Sequence, residues 1–413
     1  MRDARFPEAS FAWTEAPPLR AVLDALDAAG EARLVGGCVR DSLLGLTPAK
    51  LDARSGGTTD IDVATTLTPG ETTAALTAAG LSAHPTGVEH GTVTAVSAGL
   101  PVEVTSLRAD VVTDGRHAEV RFTTDWDEDW RRRDFRLNAM YLGADGALFD
   151  PAGGLDDLAA RRVRFIGDPD QRIAEDYLRI LRFFRFTSRY ADAPDEAGLA
   201  ACARGAGGMA RLSKERVWQE TAKLFATPRA PACLAAAGEA GVLAEVLGGR
   251  ADHGAFARLH ALCRGDVPAA LGIEALWPEA EAGQLRAAFK PSNEVLARVD
   301  AMREAGARLT DDQGVELTRN LYRFGTRAVQ DAALIEAARV EDARPWLDLH
   351  LRAGSLPVPV LPVQGRDLLA RGLTPGPGVG RVLAEVEAAW LAAGCPDDEA
   401  SLGHIVRDAM AAA

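Results

Sequence analysis

Apolar residues recur at helical spacing over residues 19 to 29, and a Leu34-Val35 strand then runs into Gly36-Gly37. A short helix is expected from Cys38 to Leu44. In Thr-Asp-Ile-Asp-Val-Ala (Thr59 to Ala64) apolar and acidic residues alternate. That period of two predicts a strand with Asp60 and Asp62 on one face and Ile61 and Val63 turned to a core. Glu71 to Ala79 reads as a helix stopped by Gly80, and Gly91 to Ser97 with Pro101 to Leu107 reads as a hairpin turning at Ala98-Gly99-Leu100. Residues 109 to 128 are polar and predict a long loop, after which a strand at Ala139 to Leu142 closes this region before Asp150-Pro151. From Ile173 onward the pattern is helical, interrupted by a Pro/Val-rich stretch, Leu351 to Gln364, expected to be an extended linker. The expected class is α+β: a small mixed sheet with helices, followed by an all-α remainder.

Composition narrows the function. The chain has 413 residues, 47% apolar and 25% charged, enough for several domains. Its net charge of −13 argues against general coating of nucleic acid but leaves room for a local basic site. The five cysteines have no zinc-like spacing and the seven histidines form no metal-ligand pair, so a bound metal is expected to sit on carboxylates. No apolar run is long enough to span a membrane and the start lacks a signal-peptide pattern, so a cytoplasmic location is expected.

Three segments carry candidate chemistry. Asp60 and Asp62 would repel each other unless a hard divalent cation lay between them, and the Gly36-Gly37 turn leaves backbone N–H groups free for a phosphate. Glu103, between Val102 and Val104, becomes a third carboxylate on that face if the hairpin lies beside the Asp60 strand; otherwise it is a solvent-facing Glu. Three carboxylates can hold two Mg²⁺ ions about 3.5–4 Å apart. In Arg131-Arg132-Arg133-Asp134-Phe135-Arg136-Leu137-Asn138, Arg133 suits a phosphate and Asp134 and Asn138 suit sugar hydroxyls. Arg131 and Arg132 read equally as a helix end. On an expected helix from Glu175 to Phe186, Asp176 and Arg179 are neighbours three apart. A carboxylate acceptor beside a guanidinium donor complements the Watson–Crick edges of C and A and mismatches those of G and U. The competing reading is an ordinary surface ion pair. Ser213 is expected to cap a helix that braces the nucleotide helix, and the Gly/Pro turn Thr374 to Gly380 could either face a nucleic-acid backbone or join two packed helices.

These motifs together resemble the class II CCA-adding enzymes of the tRNA nucleotidyltransferase/poly(A) polymerase family. The likeness is carried by Gly36-Gly37-Cys-Val-Arg40-Asp41 with Asp60-Ile-Asp62, by Arg132-Arg133-Asp134-Phe135 with Asn138-Ala139, by Glu175-Asp176-x-x-Arg179-x-x-Arg182, and by Arg211 to Glu220. It implies a polymerase-β-like head over residues 1–155, a base-recognising neck over 156–235, a helical body over 236–350 and a tRNA-binding tail over 351–413. It further implies addition of C, C and then A to tRNA 3′ ends from CTP and ATP. Asp60, Asp62 and Glu103 would be the Mg²⁺-binding catalytic carboxylates. Gly36, Gly37, Arg40, Asp41, Arg133, Asp134, Asn138, Asp176, Arg179, Arg182 and Arg185 would surround the nucleotide. Residues Asp114 to Arg121 occupy the place of the loop that switches from C to A, and Arg136 stands where the family usually has Thr. Poly(A) polymerase, a partial CC- or A-adding enzyme, and a non-catalytic RNA-binding relative are the rival readings.

Overall fold

The computed structural model describes residues 5–6, 9–48, 51, 60–87, 91–110, 120–248, 251–309 and 315–412. They divide into two compact units, Met1–Leu212 with Glu239–Glu245, and Ser213–Gly238 with Val246–Ala413. The first is built on a seven-stranded sheet. Its strands in chain order are β1 (Ala32–Val35), β2 (Asp62–Thr65), β3 (Ser82–Gly87), β4 (Thr92–Ser97), β5 (Leu100–Ser106), β8 (Tyr141–Gly143) and β9 (Leu148–Phe149), while β6 (Arg108–Asp110) and β7 (Val120–Phe122) form a separate ribbon. Across the sheet the order is β3-β4-β5-β2-β1-β8-β9, and β2 with β5 is its parallel pair.

Helix α1 (Pro17–Asp27) follows the expected spacing, burying Leu19, Val22, Leu23 and Leu26. With α3 (Pro69–Ala78), which starts in a Thr68/Glu71 capping box, it packs on β4 and β5. The opposite face gathers Val35, Ala64, Leu107 and Tyr141 under Trp126, Trp130 and Phe149. The hairpin turns on Ala98 (φ 47°) and Gly99 (φ 82°), so Leu100 already belongs to β5. Two consecutive residues with positive φ are what a tight two-residue hairpin needs to match the strand twist.

Four expectations are corrected. Strand β3 was not foreseen: it is a mostly exposed edge containing His84 and Pro85, without an apolar face to signal it. The expected loop 109–128 contains the β6–β7 ribbon and helix α4 (Trp126–Arg131), which Asp125 caps through the Asp127 N–H. Residues 114–119 of the switching segment lie outside the described residues. The strand expected at Ala139 to Leu142 begins at Tyr141, because Arg136–Asn138 coils into a 3-10 turn, and a further short strand, β9, follows it. The linker is shorter than expected, since residues Leu351 to Ser355 finish the helix Arg344–Ser355.

Beyond the sheet come α5 (Gly154–Ala159), α6 (Pro169–Glu175), α7 (Leu178–Tyr190) and α8 (Glu196–Gly205). Phe135, fully buried, packs with tilted rings against Phe165, Phe183 and Phe186 at ring-centroid distances of 4.9, 6.4 and 5.3 Å, which joins the segment before β8 to α7. The second unit is helical throughout its described residues. Ser213 caps its first helix, Lys214–Phe225, as expected. One of its cores joins Leu317, Leu321 and Val329 to Leu349 and Ala353, and another joins Leu368, Val382 and Val386 to Val406.

At the end of α4, Asp129 is 1% exposed and holds three partners. Its Oδ1 accepts from Arg132, and its Oδ2 accepts from Arg133 Nη2 at 2.8 Å and from the Tyr141 hydroxyl at 2.8 Å. Burial disfavours its charge, but Arg133 and Arg132 outweigh that and bring its pKa down to about 2. A carboxylate whose folded pKa is depressed adds stability that is complete above its unfolded pKa, near 4, and is lost as pH falls toward 2. The expected outcome is that Asp129→Asn costs about 2 kcal/mol at pH 7 in urea melts. The loss should shrink as the pH is lowered from 5 to 2, and a pH-independent loss would contradict the ionised clasp.

Candidate active site

The sheet order brings the acidic strand and the glycine turn to one place. Strand β1 is central, with β2 and β8 antiparallel on its two sides, so its C-terminal end lies beside their N-terminal ends. There the chain turns at Gly36 (φ 73°, ψ −124°), a backbone conformation closed to side-chain-bearing residues, and enters α2 (Gly37–Leu43). The Gly36 N–H donates to the Met140 carbonyl at 3.3 Å. One residue into α2, the Cys38 thiol reaches the carbonyls of Val35 (3.4 Å) and Asp62 (3.8 Å). The turn is thereby fixed against the start of β2. Burial, with the charge of Asp62 nearby, pushes the Cys38 thiol up to about 12, so it is a packing group rather than a nucleophile.

Asp62 is the first residue of β2 and Asp60 precedes it by two, with Ile61 and Val63 fully buried between and after them, as the alternation required. Glu103 lies directly opposite Asp62 in the parallel register, and its N–H donates to the Ile61 carbonyl at 3.0 Å. The hairpin therefore lies beside the acidic strand, and Glu103 shares the face of Asp62. Among the described residues, no group of three or more His, Cys, Asp or Glu side chains is gathered into a ready-made metal cage. Hard oxygen donors of this kind still fit a small divalent cation, which is commonly held by one or two carboxylates together with substrate phosphates.

The other expected nucleotide contacts form a buried chain of polar side chains. Arg40, 3% exposed, donates from Nε to Asp41 (2.9 Å), from Nη1 to Asn138 Oδ1 (2.5 Å) and from Nη2 to the Tyr190 hydroxyl (2.6 Å). Asn138 Nδ2 donates to Asp134 Oδ1 at 2.9 Å, and Asp134 Oδ2 accepts from Arg182 Nε at 2.8 Å. Burial opposes the Asp134 charge, but Arg182, Asn138 and the Phe135 N–H bring its pKa down to about 2. Arg40, expected beside the nucleotide, takes an internal position in which every branch of its guanidinium has a protein partner. Arg133 is partly exposed and clasped by Asp129 and Tyr141, which keep it firmly protonated against the effect of burial.

Asp176 and Arg179, the pair expected to read the base, are arranged differently from the single helix expected. Helix α6 stops at Glu175, Asp176 is extended (φ −152°, ψ 104°), and α7 starts at Leu178. Asp176 Oδ1 accepts from the Leu178 N–H at 3.1 Å, a local bond that competes with helix continuation. The Tyr177 ring lies against Gly208, where even an added methyl would collide, and under the Arg211 guanidinium. Arg179 turns back to the end of α6, donating to the Arg172 carbonyl (2.8 Å) and Glu175 (2.6 Å), and also to the Arg132 carbonyl (3.0 Å). Arg182 and Arg185 both stack on the Phe186 ring, at 5.3 and 4.4 Å. Sequence reasoning passed over Tyr190 and Phe186, although Arg182, Phe186 and Tyr190 lie four apart on one helix face.

Comparison with known proteins places this geometry. The family model for the Poly A polymerase head domain matches residues 32–164, and that for tRNA nucleotidyltransferase domain 2 matches residues 269–406. The chain is 36% identical over 372 residues to the mitochondrial CCA tRNA nucleotidyltransferase 1 of Danio rerio, covering 87% of this chain and 83% of that protein. It is 30% identical over 380 residues to the CCA-adding enzyme of Limosilactobacillus fermentum, covering 89% and 91%. The match to the Homo sapiens mitochondrial enzyme is 48% identical over 199 residues, 47% of this chain, and spans less than half (44%) of that relative. Among solved structures, the Bacillus stearothermophilus CCA-adding enzyme in complex with CTP superposes with a TM-score of 0.76 at 28% identity, covering 96% and 98% of the two chains. No helix among the described residues is long and apolar enough to cross a membrane. With its head motifs in place on the expected sheet and relatives matched over most of their length, the chain belongs to the CCA-adding enzyme (CCA tRNA nucleotidyltransferase) family.

Proposed function

We propose that this protein adds C, C and then A to tRNA 3′ ends from CTP and ATP without a nucleic-acid template, releasing pyrophosphate. The observation that carries the reading is the Asp60/Asp62 pair beside the Gly36 turn, in a chain 36% identical to a CCA tRNA nucleotidyltransferase over most of both lengths. The solved relatives include complexes with CTP and with tRNA, which fits these substrates. Nucleotidyl transfer in this family uses a divalent metal. We take it to be Mg²⁺, held by Asp60 and Asp62 with Glu103 alongside. When bound, Mg²⁺ supplies the Lewis acidity that activates the tRNA 3′-hydroxyl and neutralises the leaving pyrophosphate.

The chain's own groups do the rest. The Gly36 N–H is held by the Met140 carbonyl and fixes the turn, so the N–H of Gly37 at the start of α2 receives the triphosphate, with Arg133 adding a fixed positive charge. Asp134 and Asn138 set the wall beside the sugar, and Arg40, Asp41, Arg182 and Arg185 hold that wall in place. Asp176 and Arg179 read the base. The tRNA 3′-oxygen gives up its proton to solvent and bonds to the α-phosphorus as the bond from that phosphorus to the bridging oxygen breaks and pyrophosphate leaves. A head, neck, body and tail division finer than the two compact units, with the tail on tRNA, and a cytoplasmic location belong to the same proposal. The animal relatives are named as mitochondrial, so location does not follow from family alone.

The test is extension of a tRNA transcript lacking its terminal CCA, with Mg²⁺ and each nucleotide separately and then CTP with ATP. Two C residues followed by one A, and then arrest, is the expected product. A ladder of A, or a C-only or A-only product, would replace the reading with poly(A) or partial addition, and no extension would leave a binding protein. Asp60→Asn and Asp62→Asn should each lower the rate by on the order of 10³-fold or more with unchanged thermal melts. Asp176→Ala should lower preference for CTP over UTP by about 5- to 150-fold, the worth of one bidentate base contact. Intact discrimination would return Asp176 to a purely structural role.

A further inference from the structure

The buried polar chain closes on itself through a residue that none of the site motifs contains. The side chain of Tyr190, the last residue of α7, carries a hydroxyl that accepts from Arg40 at 2.6 Å and donates to Asp41 at 2.9 Å. Its ring lies 4.1 Å from the Arg40 guanidinium and stacks on Phe186 at 5.9 Å. Arg40 continues through Asn138 and Asp134 to Arg182, which is on α7 again, two turns before Tyr190. Helix α7 is therefore fastened at two points about 12 Å apart along its axis. Both fastenings lead to Arg40, three residues after the Gly37 that opens α2. The opposite, N-terminal end of α7 carries Arg179 and adjoins Asp176.

A helix fastened at one point can pivot, and one fastened at two cannot without breaking charge-assisted hydrogen bonds, each worth roughly 1.5–3 kcal/mol when buried. Burial raises the Tyr190 pKa above its ordinary value, so the hydroxyl keeps its proton and remains both donor and acceptor at neutral pH. Resting on the function proposed above, we propose that Tyr190 is a positioning residue that sets the register of the base-reading end of α7 against the glycine turn, so that base discrimination depends on its hydroxyl.

The test is Tyr190→Phe, which keeps the ring and removes the hydroxyl. Steady-state kinetics use the full-length protein, tRNA lacking the CCA end, and CTP, ATP, UTP and GTP in turn. The expected result is a fall of about tenfold in kcat/KM for CTP and ATP, carried by KM, with little change for UTP and GTP, so that discrimination falls by the same factor. Tyr190→Leu, which also removes the ring beneath Arg40, should fall further and lower the melting temperature. If all four nucleotides decline in parallel, or none changes, Tyr190 only stabilises the fold and the inference is overturned. If the wild-type protein transfers no nucleotide, the proposed function fails and this inference fails with it, which separates the two outcomes.

Discussion

An arginine buried to 3% exposure constrains everything around it. Removing a guanidinium from water costs several kcal/mol, and the cost is recovered only when its donors meet acceptors in good geometry. Arg40 meets this condition with Asp41, Asn138 and Tyr190, contributed by α2, the 3-10 turn before β8, and the end of α7. Three stretches of chain that together span 150 residues, from Arg40 to Tyr190, are thus tied to one side chain. Burial works against its positive charge, while Tyr190 and Asp41 beside it keep it protonated. Loss of any one partner leaves buried polarity uncompensated, which ordinarily costs more than the bond itself is worth. The glycine turn, the wall at Asn138 and the orientation of α7 are consequently one cooperative unit.

The sheet supplies the second constraint. A parallel β2–β5 pair inside an otherwise antiparallel sheet requires a crossover, and α3, β3 and β4 provide it. The crossover sets Glu103 opposite Asp62 instead of at the far end of a neighbouring strand. The antiparallel partners of β1 then bring the beginnings of β2 and β8 to the Gly36 turn. Residues distant in sequence converge because strand direction, once fixed, leaves their side chains few places to go.

What could be read from the sequence follows from whether a signal is local. The period-two pattern around Asp60–Asp62 and Val102–Val104 has a core on one side; the second strand formed where alternation placed it, while the first begins only at Asp62 and leaves Asp60 just before it. The Gly36 turn was legible because only glycine tolerates that backbone. Strand β3 was not, since its exposed edge position removes the apolar half of the pattern. The break at Asp176 escaped for a related reason: the bond from the Leu178 N–H to the Asp176 side chain and the packing of Tyr177 on Gly208 leave no periodic trace. The internal placement of Arg40 was equally hidden, because a motif gives residue type and spacing, whereas burial depends on Tyr190, which comes from another part of the chain.

The same pairings explain how an acidic protein can offer a basic site. Arg40 is matched by Asp41 and Arg182 by Asp134, so these pairs add no net charge. Asp129, in contrast, holds both Arg132 and Arg133, and Glu175 holds both Arg172 and Arg179. In each of those clusters two guanidiniums share one carboxylate and are already fixed in place. A fixed charge needs little reorganisation when an anion arrives, whereas a mobile surface lysine must first be ordered. Four of the chain's arginines are thus positioned by two shared carboxylates. Local charge of that kind survives a net charge of −13, because within a Debye length the nearest fixed groups outweigh the distant total.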